Sequence, residues 1–118
     1  MTRLSHSPNK SVLNGKWVLL VGPDLSAMHE LGRHLSGQGA NVDVASNYEI
    51  AVQSLLSLTY DAAVIDGGVD RVSDLIEITS WKHMPAIMTP NGNDPGIHHK
   101  DRTHQVVSTL EKAIRNGK

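Results

Sequence analysis

Two aspartates stand where side chains of this chain can do chemistry. The apolar run Val18-Leu19-Leu20-Val21 leads through Gly22-Pro23 to Asp24, and Ala62-Ala63-Val64-Ile65 leads to Asp66-Gly67-Gly68. Short apolar runs bounded by turn residues read as strands buried on both faces, as in a parallel sheet. The carboxyl ends of such strands are where an open α/β sheet places its site. Two carboxylates delivered there define an acidic pocket that could hold a cation. Gly22 and Pro23 stand where a stronger pocket needs further carboxylates, and neither offers a side-chain oxygen.

Each candidate also has a structural reading. Asp24 is a good helix N-cap, because its carboxylate can accept from the first free helix amides. Asp66 can hydrogen-bond within the Gly67-Gly68 turn. Thr89 precedes Pro90, which pushes it into extended geometry at a strand end. Lys100 begins a Lys-Asp-Arg run that suits solvent. Of the seven histidines, His98, His99 and His104 come closest to a metal cluster. Adjacent residues of an extended segment point to opposite faces, and neither cysteine nor a carboxylate cluster completes a site. His29 and His34, five apart, do not share a helix face well. A phosphate cradle at Val21–Ser26 is disfavoured: the loop has no glycine series or Gly-Lys-Ser/Thr ending, and Pro23 removes a donor.

The elements that must position these residues alternate strand and helix. The first strand spans about 17–22. A helix follows, capped by Asp24 or Ser26, with Leu25, Met28, Leu31 and Leu35 inward and a stop at Gly37-Gln38-Gly39. The second strand is 41–45. Ser46 or Asn47 caps a second helix with Ile50, Ala51, Leu55 and Leu58 on one face, and Ser46 with Glu49 matches a capping box. The third strand is 62–66, and a short helix beginning near Ser73 carries Leu75, Ile76 and Ile78. The fourth strand is 85–89, followed by a turn-rich loop at 90–96. Residues 97–99 make a stub of a fifth strand. Thr103 caps a last helix running to about Arg115, with Val106, Val107, Leu110 and Ile114 inward. This alternation predicts a parallel sheet with helices on both faces.

Composition bounds the function classes. The chain of 118 residues is long enough for one domain with its own core. We read 1–13 as a polar linker or disordered arm and 14–118 as the domain. With no cysteine there is no disulfide, thiolate metal site or cysteine nucleophile. Eleven basic against twelve acidic residues give a formal charge of -1, so there is no electrostatic case for nucleic acid. No apolar stretch approaches the roughly 20 residues that span a bilayer, so no membrane contact is expected of this segment. The N-terminus has no apolar signal core, and the expected localisation is cytoplasmic.

The string Leu13-Asn14-Gly15-Lys16-Trp17-Val18-Leu19-Leu20-Val21 resembles the opening of receiver domains of two-component signalling, especially those of hybrid histidine kinases. Tyr60-Asp61-Ala62-Ala63-Val64-Ile65-Asp66 resembles their third strand, which ends on the phosphoacceptor. The resemblance covers roughly residues 13–116. It implies a flavodoxin-like three-layer α/β sandwich with five parallel strands in the order 2-1-3-4-5. It implies Asp66 as phosphoacceptor candidate, Thr89 as the hydroxyl beside it, and Lys100 near the lysine that ends the fifth strand. The partners implied are a histidine kinase core, a phosphotransfer domain or a response regulator.

Three departures qualify this. Receivers hold Mg²⁺ with an acidic pair directly after the first strand, because phosphoryl transfer depends on positioning and charge neutralisation. Gly22 and Pro23 fill those places, leaving Asp24 and Asp66 as weak Mg²⁺ candidates. Gly67-Gly68-Val69-Asp70-Arg71 replaces the usual Met-Pro and glycine, and the fourth helix region between Thr89 and Lys100 is shortened. The expectation is a degenerate, pseudo-receiver-type interaction module: not an enzyme, without a required cofactor, and not efficiently phosphorylated. The alternative is a working receiver taking phosphate from a histidine kinase on Asp66. A small-ligand or redox sensor on the same fold has no residue signature.

Overall fold

In a computed structural model, the chain is described over residues 12–89 and 99–116, the side chains of 99–104 and 116 excepted. Four strands and four helices alternate: β1 (Trp17–Val21), α1 (Leu25–Gly37), β2 (Asn41–Ala45), α2 (Tyr48–Ser57), β3 (Ala62–Asp66), α3 (Val72–Trp81), β4 (Ala86–Thr89) and α4 (His99–Asn116). The strands form one parallel sheet in the order β2-β1-β3-β4. The two apolar runs that end near the aspartates are its central strands. Every β3 residue is buried, as is every β1 residue except Trp17.

Alternation along these strands feeds two cores. Val18, Leu20, Ala62 and Val64 pack with Met28, Leu31 and Leu35 of α1 and Val106, Leu110 and Ile114 of α4. Leu19, Val21, Ala63 and Ile65 pack on the other face with Ala51 and Leu55 of α2 and Leu75 of α3. Each fully buried Leu, Ile or Val side chain stabilises the fold by roughly 1.5–3 kcal/mol. Packing reaches back to Leu13, which is fully buried, and to Val12 beside it.

The caps follow the sequence with some changes. Asp24 caps α1 and Asn47 caps α2, each accepting from the third amide onward, Ala27 at 3.2 Å and Ile50 at 2.9 Å. With Asn47 as the cap, the Ser46–Glu49 capping box is not the one used. The inward stripe of α2 is then Ala51 and Leu55, while Ile50 and Leu58 are exposed, contrary to expectation. Gly39 ends the α1 connection at φ 93, where an added Cβ would also stand 3.0 Å from the Asn14 Cα. Both conditions favour glycine.

The C-terminal part departs most from expectation. Helix α4 begins at His99 rather than Thr103, because 99–102 contain no helix breaker and Thr103 continues the turn. The described sheet therefore has four strands rather than five. Of the expected fifth strand at 97–99, His99 is helical and 97–98 lie outside the described residues, as do the loop at 90–96 and the arm at 1–11. Helix α3 begins at Val72, after Arg71, which holds a left-handed φ of 58. Among the described residues, no helix is long and apolar enough to cross a membrane.

Candidate functional site

β3 delivers Asp66 to the carboxyl end of the sheet with only 5% of its surface exposed. Thr89, also buried, is its register partner on β4. The ladder runs one step further, as the Gly67 N–H donates to the Thr89 carbonyl at 2.8 Å. The Asp66 carboxylate accepts from the Gly68 N–H at 2.8 Å, and its carbonyl accepts from the Val69 N–H at 3.0 Å. Asp66 thus organises the turn that leaves β3, a common use of a short carboxylate whose oxygen reaches an amide two residues on.

On the β1 side, Gly22 lies beside the Asp66 Cβ. The Gly22 N–H donates to the Ala45 carbonyl at 3.0 Å, which continues the β1–β2 ladder and fixes the glycine in place. A β-carbon added to Gly22 would stand 3.0 Å from the Asp66 Cβ, 3.1 Å from the Met28 Sδ and 3.3 Å from the Met28 Cε. A side chain at position 22 would therefore press on the Asp66 Cβ and on the flexible end of Met28. Met28 reaches this position because Asp24 starts α1 immediately after β1, which turns the first inward position of the helix toward the strand end.

The other candidates are not gathered around Asp66 in the same way. Asp24 is exposed, and its carboxylate caps α1 through Ala27. Lys100 lies in the first turn of α4, not at the end of a strand, and its side chain is outside the described residues. Mg²⁺ takes near-octahedral oxygen coordination, anchored by one or two carboxylates. Beside Asp66, positions 22 and 23 supply no side-chain oxygen for that ion, and the Met28 thioether lies against Gly22. Among the described residues, no group of three His, Asp or Glu side chains could hold a metal.

Two polar clusters were not visible in the sequence. The Tyr60 hydroxyl donates to the Asp43 Oδ2 at 2.6 Å across the β2 edge. Burial, and then Asp43, push the Tyr60 hydroxyl from 10.0 up to about 12. The Arg71 guanidinium pairs with Asp74 at 2.9 Å and lies 4.1 Å above the Tyr48 ring. The only sequence signal for the first was Asp43 alternating with Val42 and Val44, which places it on the α2 side of the sheet. The crowding of Gly22 by Met28 had no local signal, since Met28 reads as an ordinary core position.

No protein-family model matches the chain, and no curated protein matches it. Solved structures do. A receiver domain of CheY-like type from Methanospirillum hungatei matches with TM-score 0.65 and 15% identity, over 84% of this chain and 96% of that one. The response regulator TrrA from Thermotoga maritima, solved with Mg²⁺ and a beryllofluoride group, matches with TM-score 0.64 and 19% identity, over 82% and 97%. The N-terminal domain of a response regulator/sensory box/GGDEF protein from Carboxydothermus hydrogenoformans matches with TM-score 0.67 and 19% identity, over 85% and 94%. The fold is thus that of response-regulator receiver domains, an α/β flavodoxin-like fold with a parallel sheet.

Proposed function

We propose that the chain is an atypical receiver-like domain that serves as a protein–protein interaction and regulatory module in two-component phosphorelay signalling. It carries no catalytic machinery of its own and is not efficiently phosphorylated. The observation that carries this reading is at Gly22, which lies against Asp66 and Met28 and offers no carboxylate where a metal-binding side chain would stand. Phosphoryl transfer to an aspartate needs its charge neutralised at that point. The partners are a histidine kinase core, a phosphotransfer domain or a response regulator in the cytoplasm, and the origin is a hybrid sensor kinase.

The position of Asp66 favours the second reading, a working phosphoacceptor: it ends β3, buried, beside the Thr89 hydroxyl residue. Titration of the chain with the kinase core or response regulator encoded beside it separates the two. Binding that persists in Asp66→Ala supports the interaction module. Loss of all binding in a folded Asp66→Ala variant supports the phosphoacceptor.

A further inference from the structure

At the end of the sheet opposite Asp66, three chain segments meet: the approach to β1 at Lys16, the approach to β3 at Tyr60-Asp61, and the α3–β4 connection. They line a groove of about 210 Å³ that includes Lys16, Asp61, Lys82 and His83, with Ile114 of α4 on its wall. That is smaller than the roughly 300–1,000 Å³ of sites for organic ligands, so the groove has room for a side chain rather than a cofactor. Among the described residues, Asp61 is the one acidic residue lining it, and its Oδ2 already accepts from the Trp17 N–H at 2.8 Å. The groove is therefore basic in balance.

Each segment also carries an exposed apolar side chain next to its groove residue. Trp17 follows Lys16 and is 44% exposed; Leu58, two residues before Tyr60, is 51% exposed; Trp81 precedes Lys82 and is 70% exposed. These three are chain neighbours of groove residues, and exposed apolar side chains, tryptophan above all, are common anchors of interaction surfaces. The α3–β4 connection is fixed by the end of α3: His83, at φ 55, donates its N–H to the Ser80 carbonyl and the Met84 N–H donates to the Thr79 carbonyl, each at 3.0 Å, which closes the helix.

We propose that this groove docks an acidic peptide segment of a partner protein, with a carboxylate held by Lys16 and Lys82 and a neighbouring apolar side chain on Trp81 and Leu58. Charge complementarity selects that occupant: a basic groove whose lining residues have exposed apolar neighbours in the chain matches a segment alternating acidic and apolar residues. The inference rests on the reading of the chain as an interaction module and supplies the surface. It does not depend on the state of Asp66.

The test is a titration of the isotope-labelled chain with a peptide of alternating Glu and Leu and with its Lys/Leu counterpart, followed by amide and indole shifts. The Glu/Leu peptide should shift Lys16, Asp61, Lys82 and His83 and the indoles of Trp17 and Trp81, and should bind more weakly in high salt. The double variant Lys16→Glu/Lys82→Glu, checked for an unchanged amide spectrum away from the groove, should bind roughly tenfold or more weakly. Asp66→Ala should bind as the unaltered chain does, so failure here is distinct from failure of the Asp66 reading. Equal binding of the Lys/Leu peptide, shifts confined to another face, no binding, or undiminished affinity in the double variant would overturn the proposal.

Discussion

Gly22 and Asp66 face each other across the β1–β3 pair so closely that a β-carbon on Gly22 would lie 3.0 Å from that of Asp66. Real β-carbons are rarely that near to one another, and here the Met28 sulfur closes the remaining side at 3.1 Å. Replacing Gly22 is therefore a packing problem before it is a chemical one. Gly22→Ala should cost about 1–3 kcal/mol as overpacking. Met28→Ala alone should cost about 2–5 kcal/mol through its cavity. If the two share one space, the double variant should be less damaged than the sum by about 0.5 kcal/mol or more. Urea denaturation of the four proteins gives the coupling, and strict additivity would contradict the contact.

Asp66 is expected to matter to stability through the Gly68 N–H. Asp66→Ala removes the acceptor of a part-buried bond and should cost about 1–3 kcal/mol, whereas Asp66→Asn retains an acceptor and should lose less. Denaturation midpoints of both variants measure this. Equal stability of Ala and Asn would remove the turn-organising role.

The Tyr60 hydroxyl gives a pH signature. Burial first, and Asp43 second, raise it from 10.0 to about 12, so the folded state holds the proton more tightly than the unfolded chain. That contribution to stability is fully present below pH 10 and is lost as pH rises from there to about 12. Tyr60→Phe should lose about 1 kcal/mol below pH 10 and should then show a shallower decline than the unaltered chain. Parallel decline of the two proteins would show that Tyr60 is not the group responsible.

Arg71 enters α3 with a left-handed φ of 58. Arg71→Ala and Arg71→Gly both remove the Asp74 pair and the contact with Tyr48, so their difference isolates the backbone. The glycine variant should be more stable by about 1 kcal/mol, read from thermal melts. A more stable alanine variant would contradict the left-handed entry.

Much of the fold was legible because the two central strands are continuous apolar runs ending in turn residues, which leaves little choice but a buried parallel sheet. The helices around them were placed by periodicity and by Asp24 and Asn47. The start of α4 was not legible, because His99 to Arg102 carry neither an apolar period nor a breaker, and Thr103 offered a false cap. Ala51 and Leu55 were placed correctly, but Ile50 lies about 100° round the helix from Ala51, and Leu58 has left the helix with an extended backbone, so neither shares the buried stripe. At the site, Asp66 and Thr89 could be placed from their strand ends alone. Met28 against Gly22 could not, since contact across a strand–helix turn depends on the angle at which α1 leaves β1.

The central claim is that Asp66 sits at a phosphoacceptor's position without the means to bind the metal and phosphoryl group. Amide spectra recorded with and without Mg²⁺ and beryllofluoride, a mimic of the phosphoryl group, test it most directly. The account predicts that the resonances of Gly22, Asp66, Gly67 and Thr89 stay where they are. Large, saturable shifts at those residues would contradict it and make the chain a working receiver.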